Sequence, residues 1–320
     1  KISQLLENFD FKTPENNVNA LVEIYSLIEN LDNSIWKERK LTEVKECILF
    51  CIGLFFEVSS DSQYISPNET AYFKFELTNR SNYPIEFKQV NIFGEQLKNI
   101  SSVLLSNNEA KIETLSIKVP NNLKLSNAHY LENTEESFYN QFKPSDELTY
   151  HIQLKFNDIN INFDNKIVYK FKDEVKGEVY DNVLVVPKIS TAIKNNIYII
   201  ENQKEQKIST SIKSYVDSFS GKARFISKTN PKNKSDWKEI TGLSLYQEIN
   251  LDFDVSISDN LLEEIFELEV VSNNETFNKE VQIISYNHIP TKVLLKDAQT
   301  KIKKIEIAKT NSKIAYLMGA

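Results

Sequence analysis

Glycine and histidine are scarce in this chain, and their scarcity excludes several kinds of site. Only six glycines occur in 320 residues, so the sequence has no glycine-rich loop that could cradle a phosphate. The three histidines, His129, His151 and His288, are far apart, and no His-x-x-x-His, His-Glu-x-x-His or His-Pro-Asp-Asp pattern is present. A Gly-x-Ser-x-Gly sequence is also missing. The sequence therefore contains no zinc-hydrolase or serine-hydrolase motif.

Cysteines and long apolar runs are scarce too. Cys47 and Cys51 are four residues apart, which places them on one face of a helix in a geometry poor for a disulfide. We expect both thiols to be buried and to act as small hydrophobic groups. The most apolar run, Cys47–Phe56, has about half of the ~20 residues that a membrane-spanning helix needs. We therefore expect no membrane span.

Positive charge is in deficit. The chain has 38 Lys and Arg against 45 Asp and Glu, a net charge of −7, and its pI is about 5.3. Such a balance gives no attraction for nucleic-acid phosphates, so we expect no nucleic-acid partner. The hydrophobic share of 41% is close to that of soluble globular proteins, so the chain can bury a core.

The first 57 residues have the apolar spacing of helices. Thr13-Pro14-Glu15 has the features of a helix start, with a capping residue, an early proline and an acid near the positive end of the helix dipole. A second helix is expected from Ser34, and the short link before it favours an antiparallel pair. The helical periodicity of the first segment rests on Val18, Leu21, Ile24 and Ile28.

From residue 58 the apolar period changes to two, which is typical of strands. Phe73, Phe75 and Leu77 alternate with polar residues, and similar short runs recur with no helical pattern between them. The sequence predicts a mainly β protein, in which a helical pair (1–57) precedes two antiparallel, immunoglobulin-like β-sandwiches (58–187 and 188–287). The junction is placed at Pro187. Residues 288–320 are interpreted as the start of a further, truncated domain.

A polar and aromatic insertion, roughly 125–146, interrupts the strands of the first sandwich. Exposed aromatic side chains on a loop can stack on sugar rings or form hot spots for another domain. The alternative is that this loop folds back to close the end of the sandwich. The candidate ligand-binding residues are His129, Tyr130, Phe138 and Tyr139.

The remaining polar candidates are better explained by structure. We expect His151 to be a surface residue of a strand, and His288, just before Ile289-Pro290, to stabilise a turn by a hydrogen bond. Glu263 and Glu264 are adjacent, and adjacent strand residues point to opposite faces, so they do not form a catalytic pair. We interpret both as solvated charges, and we expect no catalytic residue and no metal ligand in this chain.

Six segments carry a family resemblance. They are Cys51–Glu57 (CIGLFFE), Leu77–Ser81 (LTNRS), Asp173–Glu178 (DEVKGE), Val183–Pro187 (VLVVP), Tyr286–Pro290 (YNHIP) and Lys313–Ala320 (KIAYLMGA). In this order and at these separations, the chain resembles the region downstream of the catalytic domain in large bacterial deacetylases of the PIG-L (LmbE-like) family. It departs from that pattern at Ala128-His129-Tyr130-Leu131, where a Pro-Tyr-Trp-Leu-like run is expected, and this weakens any binding role carried over to the insertion.

The resemblance implies a parent enzyme that removes acetyl groups from N-acetylated sugars. Its catalytic domain would hold zinc through an Ala-His-Pro-Asp-Asp motif, and metal-bound water would attack the acetyl carbonyl. None of those residues is in this chain, so the implied cofactor and catalytic groups belong to the other domain. The resemblance also implies catalytic and C-terminal domains of the same polypeptide as partners, and export to the periplasm or cell surface.

Two hypotheses for function follow. The first is a non-catalytic accessory region of such a deacetylase, which holds domains in place or binds glycan. The second is a free-standing cell-envelope or adhesin-type module, which tandem sandwiches and an aromatic loop would also suit.

Overall fold

The computed structural model describes residues 1–97, 100, 102–128, 148–201, 203–257, 262–305, 313, 315–316 and 319. They form two compact units. The first comprises the described residues of 1–124, 135–185 and 285–291, and the second comprises those of 125–134, 186–284 and 292–320. Strands predominate in both, so the predicted mainly β class is confirmed.

Within the described residues, the helices all precede the first strand. They are α1 (Ile2–Glu7), α2 (Val18–Glu29) and α3 (Ile35–Ile52), with a 3₁₀ turn at Pro14–Asn17. The Ser34 hydroxyl accepts a hydrogen bond from the Lys37 amide at 3.1 Å and caps α3. Gly53 ends that helix in the left-handed conformation, at φ 58°. The predicted helical pair is therefore confirmed as α2 and α3.

The cysteines differ from the expectation. Cys47 is exposed and Cys51 is only half-buried, because α3 turns Ile48 and Ile52 towards the core instead. Partial burial raises the pKa of the Cys51 thiol. The apolar stripe of this helix is thus displaced by one residue from the face on which the cysteines lie.

Nine strands of the first unit form one sheet that folds over into two layers, and β2 and β11 pair separately with each other. Its strand order is β5-β4-β8-β9-β1-β3-β7, with β6 beside β4 and β10 beside β9. Although three strands separate β3 from β4 in this order, the rings of Phe75 and Phe87 lie 5.5 Å apart. The strands are β1 (Phe55–Ser60), β2 (Tyr64–Ile65), β3 (Thr70–Thr78), β4 (Ile85–Ile92), β5 (Glu95–Gln96), β6 (Val103–Leu105), β7 (Ala110–Lys118), β8 (Thr149–Phe156), β9 (Ile159–Asp173), β10 (Gly177–Asn182) and β11 (Leu184–Val185).

The second unit has two separate sheets. One has the order β12-β14-β17, and the other has the order β13-β22-β18-β15-β16 with β19 beside β18, while β20 and β21 pair with each other. The strands are β12 (Ile189–Ile193), β13 (Ile197–Ile200), β14 (Glu205–Ser214), β15 (Phe219–Ser227), β16 (Lys238–Leu243), β17 (Glu248–Ser256), β18 (Glu263–Ser272), β19 (Glu275–Phe277), β20 (Lys279–Tyr286), β21 (Ile289–Asp297) and β22 (Gln299–Lys304).

The core of the second unit lies between its sheets. The rings of Phe225 on β15 and Phe253 on β17 belong to different sheets and meet edge to face at 5.3 Å. Alternate side chains of each strand point into the space between the two sheets and fill it, as in a β-sandwich. The largest side chains buried there are Phe225, Phe253 and Phe266.

Both units have the strand order of an immunoglobulin-type sandwich. In the second unit, β12, β14 and β17 take the places of strands A, B and E, and β15, β18 and β22 those of C, F and G. In the first unit β1, β3 and β7 and then β4, β8 and β9 take the same places. Each last strand also pairs in parallel with an early one, β9 with β1 and β22 with β13. The predicted immunoglobulin-like fold is confirmed.

The end of the second sandwich differs from the expected boundary. Residues 288–320 were expected to begin a further domain, but β22 lies inside a sheet, between β13 and β18. Ile302 of this strand is buried in the sandwich core, because alternate residues of β22 face the opposite sheet. Most of the expected strand at 314–318 lies outside the described residues.

Asn79 holds together the loops at one end of the first sandwich. Its side chain is fully buried and donates to the carbonyls of Tyr83, at 2.8 Å, and Leu105, at 3.0 Å. Its carbonyl oxygen accepts from the amide of Ser81 at 3.0 Å. A short polar side chain thus satisfies backbone groups of two loops that cannot reach water.

We predict that Asn79→Ala will destabilise the first unit by about 3 kcal/mol, because it leaves two carbonyls and one amide without partners. Hydrogen exchange of the β3 and β4 amides in increasing urea measures this loss. The control is Asn162→Ala, an exposed asparagine of β9, which should change stability by less than about 0.5 kcal/mol. Equal effects of the two substitutions would show that the buried bonds contribute little.

Candidate binding site in the first unit

The four residues proposed from the sequence, His129, Tyr130, Phe138 and Tyr139, lie outside the described residues. Their role stays a prediction. The structure points to a different site in the first unit, built from β9, β10 and the segment 285–291.

A cavity of about 710 Å³ lies among these three elements. Its walls combine exposed aromatic rings with amide, hydroxyl and charged groups. Small-molecule sites are concave in the same way, with apolar walls and a few polar groups that fix orientation. The lining residues that matter for binding are Phe171, Lys176, Tyr180, Asp181, Asn182 and Tyr286.

A tight hairpin between β9 and β10 sets the geometry of one wall. The Asp173 carboxylate accepts hydrogen bonds from the amides of Val175, at 2.9 Å, and Lys176, at 2.7 Å. Gly177 follows at φ 79°, a backbone conformation that glycine adopts without strain. The resulting register places Val179 opposite Phe171, so both lie on the same face of the hairpin.

Asp181 joins this hairpin to the segment 285–291. One carboxylate oxygen accepts from the Thr291 hydroxyl at 2.5 Å and from the Gln63 amide group at 2.9 Å. The other accepts from the backbone amides of Thr291, at 3.2 Å, and Asn182, at 2.8 Å. Four donors therefore surround one carboxylate, and Thr291 itself is buried. Bonds of this charge-assisted kind are stronger than neutral ones.

Three aromatic side chains are exposed around the cavity. Phe171 is 38% exposed, Tyr180 49% and Tyr286 61%. The Tyr169 and Phe171 rings stack at 5.3 Å with an interplanar angle of 23°, and the His288 ring lies 5.9 Å from that of Tyr286. An accessible aromatic face beside polar groups suits a ligand that has both apolar and hydroxylated surfaces.

A hydrogen bond and a cation–π contact hold Tyr180 in place. Its hydroxyl donates to Glu178 at 3.0 Å, and the Lys170 ammonium lies 5.3 Å from the centre of its ring. The hydrogen bond from Lys170 is the main cause that lowers the pKa of Glu178. Burial alone would lower the pKa of Lys170, but its bonds with Glu178 and Tyr180 raise it above the ordinary value. Lys170 and Glu178 are therefore both charged at neutral pH.

Two of the sequence segments that carry the family resemblance meet at this cavity. Lys176 of Asp173–Glu178 donates to the side-chain oxygen of Asn287, in Tyr286–Pro290, at 3.2 Å. Two other segments meet at a second cavity, of about 510 Å³, where the Arg80 guanidinium lies 5.3 Å from the centre of the Phe55 ring. Segments far apart in sequence are thus paired in space.

Three other polar residues singled out from the sequence are His151, His288 and Glu264. His151 is exposed on β8, as expected, and its Nδ1 lies 2.5 Å from Asp164 on β9. His288 is exposed in the turn between β20 and β21 and lines the cavity, and the expected turn-stabilising hydrogen bond of this residue stays a prediction. The interpretation of Glu264 as a solvated charge is wrong, because this carboxylate is buried and accepts from the Asn233 side chain at 2.9 Å.

Among the described residues, no group of three or more His, Cys, Asp or Glu side chains is placed to hold a metal ion. Within the same part of the chain, no helix combines the length and the apolar character needed to cross a membrane.

Comparison with known proteins adds no family. No protein-family model and no curated protein matches the sequence. A Porphyromonas gingivalis W83 protein of unknown function aligns at 9% identity over 78% of this chain and 99% of its own, with a TM-score of 0.18. A Salmonella α2-macroglobulin mutant aligns at 8% identity over 78% of this chain and 16% of its own, with a TM-score of 0.26. Red sea bream transglutaminase aligns at 9% identity over 87% of this chain and 34% of its own, with a TM-score of 0.30. The chain thus spans only 16% and 34% of the last two proteins, and all three TM-scores are low.

The aromatic residues of the cavity were not identified from the sequence. Phe171, Tyr180 and Tyr286 lie on alternating strands, where an aromatic side chain usually indicates a core position. The sequence does contain one signal for an exposed aromatic surface. Tyr169 and Phe171 are two residues apart in a polar, charged hairpin, and this spacing places both rings on the same face of the hairpin.

We predict that Asp181→Asn will loosen the segment 285–291, since an amide group would face donors that now bind a carboxylate. The backbone amide of Thr291 should exchange with solvent about tenfold faster, which hydrogen-exchange mass spectrometry measures. Asp164→Asn, at the surface pair with His151, serves as the control and should leave Thr291 unchanged. Unaltered exchange at Thr291 in Asp181→Asn would show that other contacts hold the segment.

Proposed function

We propose that this chain is a non-catalytic accessory region whose first unit binds glycan in the cavity beside β10. The observation that carries the proposal is the cavity itself, which is lined by exposed Phe171, Tyr180 and Tyr286 and by Asn182 and Asn287. Phe171 lies on one face of the β9–β10 hairpin, and Tyr180 and Asn182 lie on the other, so the cavity extends around the hairpin edge. No role in this proposal depends on the residues of the insertion.

The chemistry of the walls favours a saccharide. One face of a sugar ring carries C–H groups that pack on an aromatic ring, while its hydroxyls need donors and acceptors. Asn182 and Asn287 side chains supply both kinds of group. The volume of about 710 Å³ lies within the range of roughly 300–1,000 Å³ found for ligand pockets.

The resemblance to PIG-L deacetylases supplies a context for glycan binding. A catalytic domain of the same polypeptide would remove acetyl groups with zinc, and this region would hold the sugar chain near it. Two segments that carry part of that resemblance contribute to the lining of the cavity: Asp173–Glu178 through Lys176, and Tyr286–Pro290 through all of its residues. Export to the periplasm or cell surface would follow from such a role.

A free-standing envelope module is the alternative, and the tandem immunoglobulin-type sandwiches suit it equally. The coding sequence on either side of these 320 residues separates the two. An Ala-His-Pro-Asp-Asp motif upstream in the same reading frame supports the accessory region. A gene that encodes only the two sandwiches and their helices would support the free-standing module.

We predict that the purified chain binds oligosaccharides on a glycan array and that Tyr180→Ala and Tyr286→Ala each weaken this binding about two- to tenfold. Loss of one stacked ring is worth ~0.5–1.5 kcal/mol. Titration calorimetry with the best array ligand measures the change. Tyr72→Ala is the matched control, because Tyr72 is 54% exposed on β3 of the same unit and does not line the cavity. A wild-type chain that binds no saccharide would refute glycan binding.

We also predict that the chain with added zinc releases no acetate from N-acetylglucosamine oligosaccharides. An enzymatic acetate assay measures this, with a PIG-L-type deacetylase as the positive control. Zinc-dependent turnover by the purified chain would contradict a non-catalytic role and would place the chemistry in these residues.

A further inference from the structure

We infer that the cavity beside β10 selects saccharides that carry a carboxylate. This inference rests on the proposed function, since it names the class of glycan that the same cavity binds. The group that would recognise the carboxylate is the ammonium of Lys176, at the tip of the β9–β10 hairpin.

Lys176 retains hydrogen-bonding capacity for a ligand. An ammonium group has three donors, and the structure shows one of them directed to the neutral side-chain oxygen of Asn287 at 3.2 Å. The described residues show no ion pair of this ammonium; the nearby Asp173 carboxyl has its pKa lowered mainly by the hydrogen bonds from the backbone amides of Lys176 and Val175, and less by the charge of Lys176. Its positive charge therefore stands at the wall of the cavity, close to the amides that would bind sugar hydroxyls.

The carboxylates near this wall are already engaged. Asp181 accepts from Thr291, Gln63 and the Asn182 amide. Glu178 pairs with Lys170 at 3.0 Å and accepts from the Tyr180 hydroxyl. Asp173 accepts from the amides of the hairpin turn. Because each is surrounded by donors, its repulsion of an anionic ligand is offset.

The geometry thus divides the recognition of an acidic sugar among three kinds of group. The exposed rings of Tyr180 and Tyr286 would pack on the sugar faces, and the amides would bind hydroxyls. Lys176 would bind the carboxylate through charge-assisted hydrogen bonds, which are roughly twice as strong as neutral ones. Such a contact is partly exposed, so the preference it produces should weaken with salt.

The test compares ligands that differ only in charge. Hyaluronan octasaccharide and oligogalacturonate are titrated into the full chain beside their carboxyl-reduced forms, with a chitin oligosaccharide as a neutral ligand. We expect at least one acidic ligand to bind about five- to tenfold more tightly than its reduced form. Raising the salt concentration should reduce this ratio.

Variants identify the residue responsible. Lys176→Gln should remove the preference for the acidic form, so that the acidic and the reduced ligand bind this variant equally. Lys172→Gln is the matched control, because Lys172 is an exposed lysine of β9 that does not line the cavity, and it should keep the preference. Equal binding of acidic and reduced ligands, or a preference that survives in Lys176→Gln, overturns acid selection while glycan binding stands. Failure of the wild-type chain to bind any saccharide overturns the proposed function instead.

Discussion

The first unit depends on one strand, β9, which belongs to both of its layers. Residues Ile159–Lys166 pair with β8, whereas the last residues of the strand pair with β1 and β10. Buried backbone groups must find hydrogen-bond partners, so a continuous strand determines where the two layers join. The same strand carries Phe171 to the edge of the sheet and sets the register of β10. The candidate site is therefore a consequence of how the sandwich is closed.

Around the cavity, the residues that stabilise the walls are different from those that would contact a ligand. Asp181 and Thr291 are occupied with each other and fix the wall of the cavity. Tyr180, Tyr286 and Lys176 are exposed, and their rings and charge are available to a ligand. A site built in this way is preorganised, because the groups that hold the walls need not rearrange when a ligand binds.

The second unit has the same strand order, but the surface of one of its sheets carries ion pairs. Its β15, β18 and β22 carry ion pairs between neighbouring strands, such as Arg224 with Glu269 at 2.6 Å and Lys301 with Glu263 at 2.7 Å. The Arg224 guanidinium also lies 4.0 Å from the centre of the Trp237 ring. Pairs of this kind contribute little stability each, but they satisfy the charges of the sheet face. The two sandwiches thus share a topology but differ in their surface groups: the first has exposed aromatic rings beside a cavity, and the second has paired charges on a sheet face.

The sequence by itself determined the mainly β class, the helical pair and the two sandwiches, because apolar periods of 3.6 and 2 depend on local geometry alone. It could not determine that β22 completes the second sandwich, since an alternating strand does not indicate which sheet it joins. Only the tertiary structure decided which segments meet, as when Lys176 reaches Asn287 across more than a hundred residues. Burial of Glu264 and exposure of Tyr180 were decided in the same way. The environment of a side chain depends on long-range packing, which neither composition nor spacing records.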